Sequence, residues 1–141
     1  MSEENTKLSV KTRIAAIIIQ GGKLLMLQGR GYKELWTPGG KIDQGENDIA
    51  CLKRELMEEL GVELVDAKFF KEYLTENFYS MPKHDLIERV YIVTTQGEPK
   101  PAAEIENVIW FSKEDFVNKK YPMITHTDLE LIPDLIKGVI W

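Results

Sequence analysis

Apolar positions along this chain follow two periods, and each period predicts its own kind of element. From Asp48 to Leu60 they recur as Ile49, Leu52, Leu56 and Leu60, a narrow stripe at about 100° per residue, which predicts an amphipathic helix. Asn47 stands where a side chain can cap the first amides, and Gly61 where a left-handed C-terminal cap belongs. Elsewhere the pattern is strand-like. Thr12 to Ile19 and Lys23 to Leu27 flank Gln20-Gly21-Gly22, a predicted hairpin turn, and the unbroken IAAIII run implies a strand covered on both faces. Glu63 to Glu76 alternates with period two, Asn77 to Asp85 with its internal Pro82 reads as a loop, and Leu86 to Thr95 is a further strand. Gly97 to Ala103 carries two prolines and cannot be a central strand, whereas Glu104 to Phe111 returns to apolar alternation. Ser112 is placed to cap a short helix, and Asp128 to Gly138 reads as a last amphipathic helix interrupted early by Pro133. Strands outnumber helices, so the fold class expected is α+β, a layered domain around a mixed sheet.

Composition narrows the class without changing that picture. A chain of 141 residues with 43% hydrophobic content supports one domain, expected over residues 1–141. A net charge of -5 argues against general affinity for nucleic acid or for anionic membranes. A single cysteine forbids an intrachain disulfide, and the acidic start MSEENTKLSV lacks the features of an export signal. The longest apolar run, Ile14 to Ile19, is too short to span a bilayer, and a cytoplasmic protein is expected.

The chemistry concentrates beside the helix stripe. Glu55, Glu58 and Glu59 fall on an adjoining arc, where like charges three and four residues apart repel at roughly 0.2–0.5 kcal/mol per pair. A hard divalent cation would neutralise them. All-oxygen donors suit Mg²⁺ or Mn²⁺, and no His or Cys cluster suits zinc. Cys51, one turn before Glu55, reads as a small buried residue under the site rather than a ligand. His84 and His126 lie far apart in sequence with no third partner, and neither reads as catalytic.

From Gly40, five residues lead to Glu46 and seven more to Arg54-Glu55-Leu56, followed by Met57, Glu58-Glu59, Leu60, Gly61 and Val62. This is the G-x5-E-x7-R-E-U-x-E-E-x-G-U pattern, U being aliphatic, and over these 23 residues the chain resembles the Nudix hydrolase family. The resemblance implies an α/β/α sandwich with a mixed sheet. It implies metal ligation by Glu55, Glu58, Glu59 and the carbonyl of Gly39, with Glu55 and Glu58 among the candidates for activating water. Arg54 would orient the glutamates and Glu46 would support them at the helix entry. Thr37 departs from the family's usual apolar residue before Pro-Gly-Gly and bears on pocket polarity.

Family comparison also points outside the box. A further ligand or base often precedes a strand containing a tryptophan, and Glu104, six residues before Trp110, is preferred there over Glu106. Tyr79 fits loosely the tyrosine of some dinucleoside polyphosphate hydrolases. Arg30, Tyr32, Lys33 and Trp36 border the motif on its open side, and Arg30, Trp36 and Tyr79 are the substrate contacts considered. The expected activity is that of a Mg²⁺-dependent pyrophosphohydrolase cleaving a nucleoside diphosphate linked to another moiety, by attack of water on phosphorus. The alternative is a silent Nudix-fold nucleotide sensor. The expected partner is a small nucleoside diphosphate derivative, and the expected assembly a monomer or homodimer.

Overall fold

A computed structural model describes residues 9–80 and 83–141, side chains of residues 9, 77–80 and 83 aside. The apolar run places β1 (Ser9–Ile17) at the heart of a mixed sheet with strand order β5-β1-β7-β6. In it β1 runs parallel to β7 (Lys83–Gln96) and antiparallel to the short β5 (Gly39–Lys41), and β6 (Glu63–Ser80) pairs antiparallel with β7. At Ile18 the chain leaves this sheet for a second one, in which β3 (Lys23–Gly29) pairs with β2 (Ile19–Gln20), β4 (Leu35–Trp36) and β8 (Ile105–Phe111), all antiparallel.

Both faces of β1 are covered, as the unbroken run predicts. Ile14, Ala16 and Ile18 pack with Leu52, Leu56 and Leu60 of helix α1 (Asp48–Leu60). Ala15 and Ile17 pack on the opposite face with Leu131, Ile132 and Leu135 near the C-terminus. Each fully buried isoleucine or leucine among them contributes about 1.5–3 kcal/mol, and the two clusters make the layered sandwich. Helix α1 has the predicted bounds and caps: Asn47 accepts from Ala50 N, and Gly61 is left-handed at φ 67°. Its buried face, however, is Cys51, Leu52, Leu56, Glu59 and Leu60, while Ile49 is exposed. The helix is rolled from the purely apolar stripe so that Glu59 faces inward, which Ile49 gives way to.

Two further expectations need correction. The segment Asn77 to Asp85 is largely strand: β6 continues to Ser80 and β7 starts at Lys83, with Tyr79 opposite His84 and Ser80 opposite Lys83. Pairing between long antiparallel neighbours overrides the poor local propensity here, and Pro82 lies outside the described residues. The C-terminal helix is not continuous either. A π-helical turn (Thr127–Leu131) precedes α3 (Ile132–Lys137), because Pro133 lacks an amide and crowds the preceding turn, and a widened turn accommodates it. The short α2 (Lys113–Val117) carries the expected cap, with Ser112 and Asp115 forming a reciprocal capping box. Among the described residues no helix is long and apolar enough to cross a membrane.

Candidate active site

Helix α1 is tied down at both ends. At its start, Asp48 accepts from Arg89 Nη1 at 2.8 Å and from the Tyr91 hydroxyl at 2.6 Å, both on β7. At its end, the carbonyls of Glu59 and Leu60 accept from Ala102 N and Lys100 N, each at 3.0 Å. The segment that follows brings in Glu104, whose own carbonyl accepts from Arg30 N at 2.9 Å.

The turn before the helix is built on two glycines, of which Gly39 is required by its backbone. At Gly39, φ is 136° and a Cβ would collide with the Ile14 carbonyl, and at Gly40 a Cβ would collide with the Glu55 carboxylate. Gly39 is buried at the start of β5, and its amide donates to Glu59 Oε1 at 3.0 Å. The close approach thus presses the turn against two helix carboxylates, those of Glu55 and Glu59.

Those carboxylates differ in surroundings. Glu59 is 3% exposed, and burial, only partly offset by the Gly39 amide, pushes its carboxyl up to about 8. Burial also raises that of Glu55, with Glu58 and Glu104 adding to the effect and Arg54 opposing it. Glu58 is half exposed. Arg54 grips Glu46 with two bonds, Nε to Oε2 at 2.7 Å and Nη2 to Oε1 at 3.0 Å, while its Nη1 lies 3.5 Å from both Glu55 and Glu58. That fork holds the Glu46 carboxyl down at about 2. Cys51 is fully buried with its thiol pushed up to about 11, chiefly by burial, and its sulfur faces the Gly40 carbonyl at 3.6 Å. It is structural padding below the turn.

The donors suit a hard cation. Glu55, Glu58 and Glu104 each raise the cost of charge on a neighbour, all offer oxygen, and burial leaves Glu59 short of compensation. Among the described residues, no three His, Cys, Asp or Glu side chains already form a metal cage, so a cation would have to draw them together.

Beside the acids lies a cavity of about 260 Å³. Gly39, Glu59 and Glu104 form its acidic end, Trp36, Leu86 and Ile124 its apolar walls. Arg13, Thr37, Glu88, His126 and Thr127 complete it. Arg13 donates to the Thr37 carbonyl at 2.6 Å, to Thr37 Oγ1 at 3.2 Å and to Glu88 Oε2 at 2.8 Å. The polarity of Thr37 therefore serves to receive a partly buried arginine. Sequence reading missed Arg13, Glu88 and His126. A signal for the first two existed: opposite charges stand within two apolar strands, and the parallel register sets Arg13 beside Glu88. Nothing local marks His126.

Of the residues expected from sequence, Glu59, Glu104, Gly39 and Trp36 come together at the cavity, and Glu55, Arg54 and Glu46 stand directly behind the glycine turn. Glu58 lies on the outer side of that cluster, and Glu106 is exposed on β8. Arg30 has an exposed side chain away from the cavity wall, and Tyr32 packs edge-on against Trp36 with ring centroids 5.6 Å apart. The Tyr79 side chain lies outside the described residues.

The sequence model of the NUDIX domain matches residues 10–135. The mRNA-decapping enzyme subunit 2 of Saccharomyces cerevisiae (strain YJM789) is 30% identical over 111 residues, 74% of this chain and 11% of that protein. An 8-oxo-dGTP diphosphatase of Buchnera aphidicola subsp. Acyrthosiphon pisum is 40% identical over 55 residues, 37% of this chain and 44% of that protein. This chain thus spans a minor part of either relative. Among solved structures, that of the E. coli ORF135 protein superposes with a TM-score of 0.74 at 25% identity, covering 93% of this chain and 94% of the other.

Proposed function

Since this chain belongs to the NUDIX domain family, we propose that it hydrolyses a phosphoric anhydride bond in a nucleoside diphosphate linked to another moiety. The observation that carries the reading is the convergence of Glu59 from the helix and Glu104 from a distant segment on one cavity, with Glu55 packed beside them. The names of the diphosphatase and decapping relatives support a substrate of this class.

The residues that would hold Mg²⁺, or Mn²⁺ in its place, are Glu55, Glu58, Glu59, Glu104 and the Gly39 carbonyl. Such an ion, when bound, offsets the crowded negative charge and lowers the pKa of a coordinated water. The rest belongs to the chain. Arg54, locked in one pose by its two bonds to Glu46, sets the orientation of Glu55 and Glu58. Gly39 N fixes one oxygen of Glu59 and leaves the other toward the cavity's acidic end. Glu104 takes the proton of the attacking water, as a base at the cavity wall. Trp36, Leu86 and Ile124 keep solvent from the part of the substrate remote from the phosphates.

A hydrolysis screen tests this reading. Nucleoside triphosphates, dinucleoside polyphosphates, ADP-ribose and nucleotide sugars are offered with Mg²⁺ and, in parallel, with EDTA. Cation-dependent release of phosphate or nucleotide from at least one compound is expected. Binding without turnover across the whole panel would replace the enzyme with a nucleotide sensor.

A further inference from the structure

His126 stands between two carboxylates. Glu88 Oε1 lies 3.0 Å from Nε2 and Glu130 Oε2 lies 3.4 Å from Nδ1, with both ring nitrogens buried. Neither contact is aligned as a hydrogen bond, so the attraction is that of charges in close approach. A neutral imidazole carries one N–H and one lone pair, and would turn that lone pair against one of the two carboxylates. The imidazolium has an N–H on each side and suits both. Glu88, whose Oε2 accepts from Arg13 Nη1 at 2.8 Å, then has a cation at each oxygen.

The segment that carries His126 is a wall. Ile124, His126 and Thr127 line the cavity, and Ile124 and His126 also line an outer groove with Glu76 and Glu130, so one pass of chain separates the two. Before His126 the wall is fastened to the second sheet at Leu35, whose amide donates to the Pro122 carbonyl at 2.9 Å and whose carbonyl accepts from Ile124 N at 3.4 Å. After it, Asp128 N donates to the Ile124 carbonyl at 3.1 Å. His126 ties the same stretch to the first sheet. It meets β7 through Glu88, and β6 through Tyr73, whose ring lies edge-on with centroids 4.5 Å apart.

We propose that His126 is a positioning residue: as an imidazolium between Glu88 and Glu130 it clasps residues 122–127 to the first sheet, and the cavity keeps its shape for substrate only while the ring is charged. The effect on substrate rests on the hydrolase reading above; the clasp does not. Burial pulls the ring down, but Glu88 and Glu130 outweigh it and hold it above its ordinary 6.5. The clasp is therefore complete below 6.5 and lost as pH rises through the raised value. Of the other charged groups around it, Arg13 on β1 backs Glu88, and Asp134 on α3 accepts from the Tyr73 hydroxyl at 2.6 Å. Glu76 on β6 shares the outer groove, and Glu59 and Glu104 share the cavity.

Amide exchange of the metal-free protein, read residue by residue, tests the clasp. In His126→Gln, uncharged at every pH, protection of the Leu35, Ile124 and Asp128 amides at pH 6 should fall about 10- to 100-fold, the lower part of the range for losing one opposite charge in contact. Protection along α1 should stay unchanged. From pH 6 to pH 9 the wild type should lose protection at the same three amides relative to α1, and the variant should not. A uniform loss over the whole chain, or equal pH dependence in the two proteins, overturns the proposal. Should His126→Gln not fold, ring ¹⁵N titration of the wild type and of Glu130→Gln, at a side chain 58% exposed, decides. A midpoint above 6.5 that falls in the variant is expected, and a wild-type midpoint at or below 6.5 overturns the clasp. With Mg²⁺ and GTP or CTP at pH 6, KM of His126→Gln should rise about 10-fold with kcat kept, and the wild-type KM should climb toward it by pH 9. An unchanged KM overturns the positioning role. Wild-type protein inert toward the whole nucleotide panel would instead sink the hydrolase reading, and the exchange data would still decide the clasp.

Discussion

Replacing Glu59 by glutamine should flatten the pH dependence of stability of the metal-free protein. Glu59 is 3% exposed, and its carboxyl is raised from 4.5 to about 8, first by burial. A folded-state value above the unfolded one means that the associated stability is complete below the unfolded pKa of 4.5 and is lost as pH rises through about 8. One unit corresponds to 1.36 kcal/mol, so from pH 5 to pH 8 this one group costs the wild-type fold about 3 kcal/mol. Glutamine keeps an oxygen for the Gly39 amide and does not titrate. Its new buried amide adds a cost independent of pH, so the informative quantity is the change between the two pH values. His126 has the same sign but is common to both proteins and cancels in the difference. Urea denaturation in EDTA at pH 5 and pH 8 measures it: the wild type should lose about 3 kcal/mol more than the variant. Adding Mg²⁺ at pH 8 should then stabilise the wild type more than the variant. Equal pH-dependent losses in the two proteins would refute the claim that burial raises the Glu59 carboxyl and opposes its ionisation.

Three other substitutions probe the site. Arg54→Lys keeps the charge but loses the two-pronged grip on Glu46, so kcat should fall with little change in KM; equal rates would show that the fork orients nothing. Glu104→Gln should lower turnover roughly 10²- to 10⁴-fold at neutral pH, with the deficit shrinking toward pH 9, whereas Glu106→Gln on the exposed side of β8 should do little; rates for both variants from pH 6 to pH 9 tell whether the right acid was chosen. Gly40→Ala places a methyl against the Glu55 carboxylate and should cost about 10² in turnover through its displacement, and a full-rate variant would mean that Glu55 has freedom to spare.

What could be read from the sequence was what is encoded locally. Asn47 and Gly61 fix the ends of α1 by their own backbone chemistry, and the box spacing alone brings Arg54, Glu55, Glu58 and Glu59 onto one helix. Glu104 came within reach through its place before a tryptophan-bearing strand. The errors arise where tertiary partners decide. The roll of α1 depends on Gly39 needing Glu59, which no period announces, and residues around Tyr79 become strand only because β7 pairs with them. The cavity lay beyond reach for the same reason. Arg13, Glu88 and His126 come from β1, β7 and the turn before α3, and their meeting is a product of parallel register, invisible to any window of neighbouring residues.

The two backbone bonds from Lys100 and Ala102 to the last turn of α1 change what the proline-bearing segment is. Its composition is that of a surface connection, the kind of stretch in which lengths vary freely. Bolted to the carbonyls of Glu59 and Leu60, it cannot open without fraying the helix end that carries Glu59. Glu104, two residues past the second bolt, therefore moves with Glu59 as one body, although 44 positions separate them in the chain. An inserted residue after Ala102 would act as a lengthened lever arm, swinging one acid away from the other while leaving every element of the fold in place.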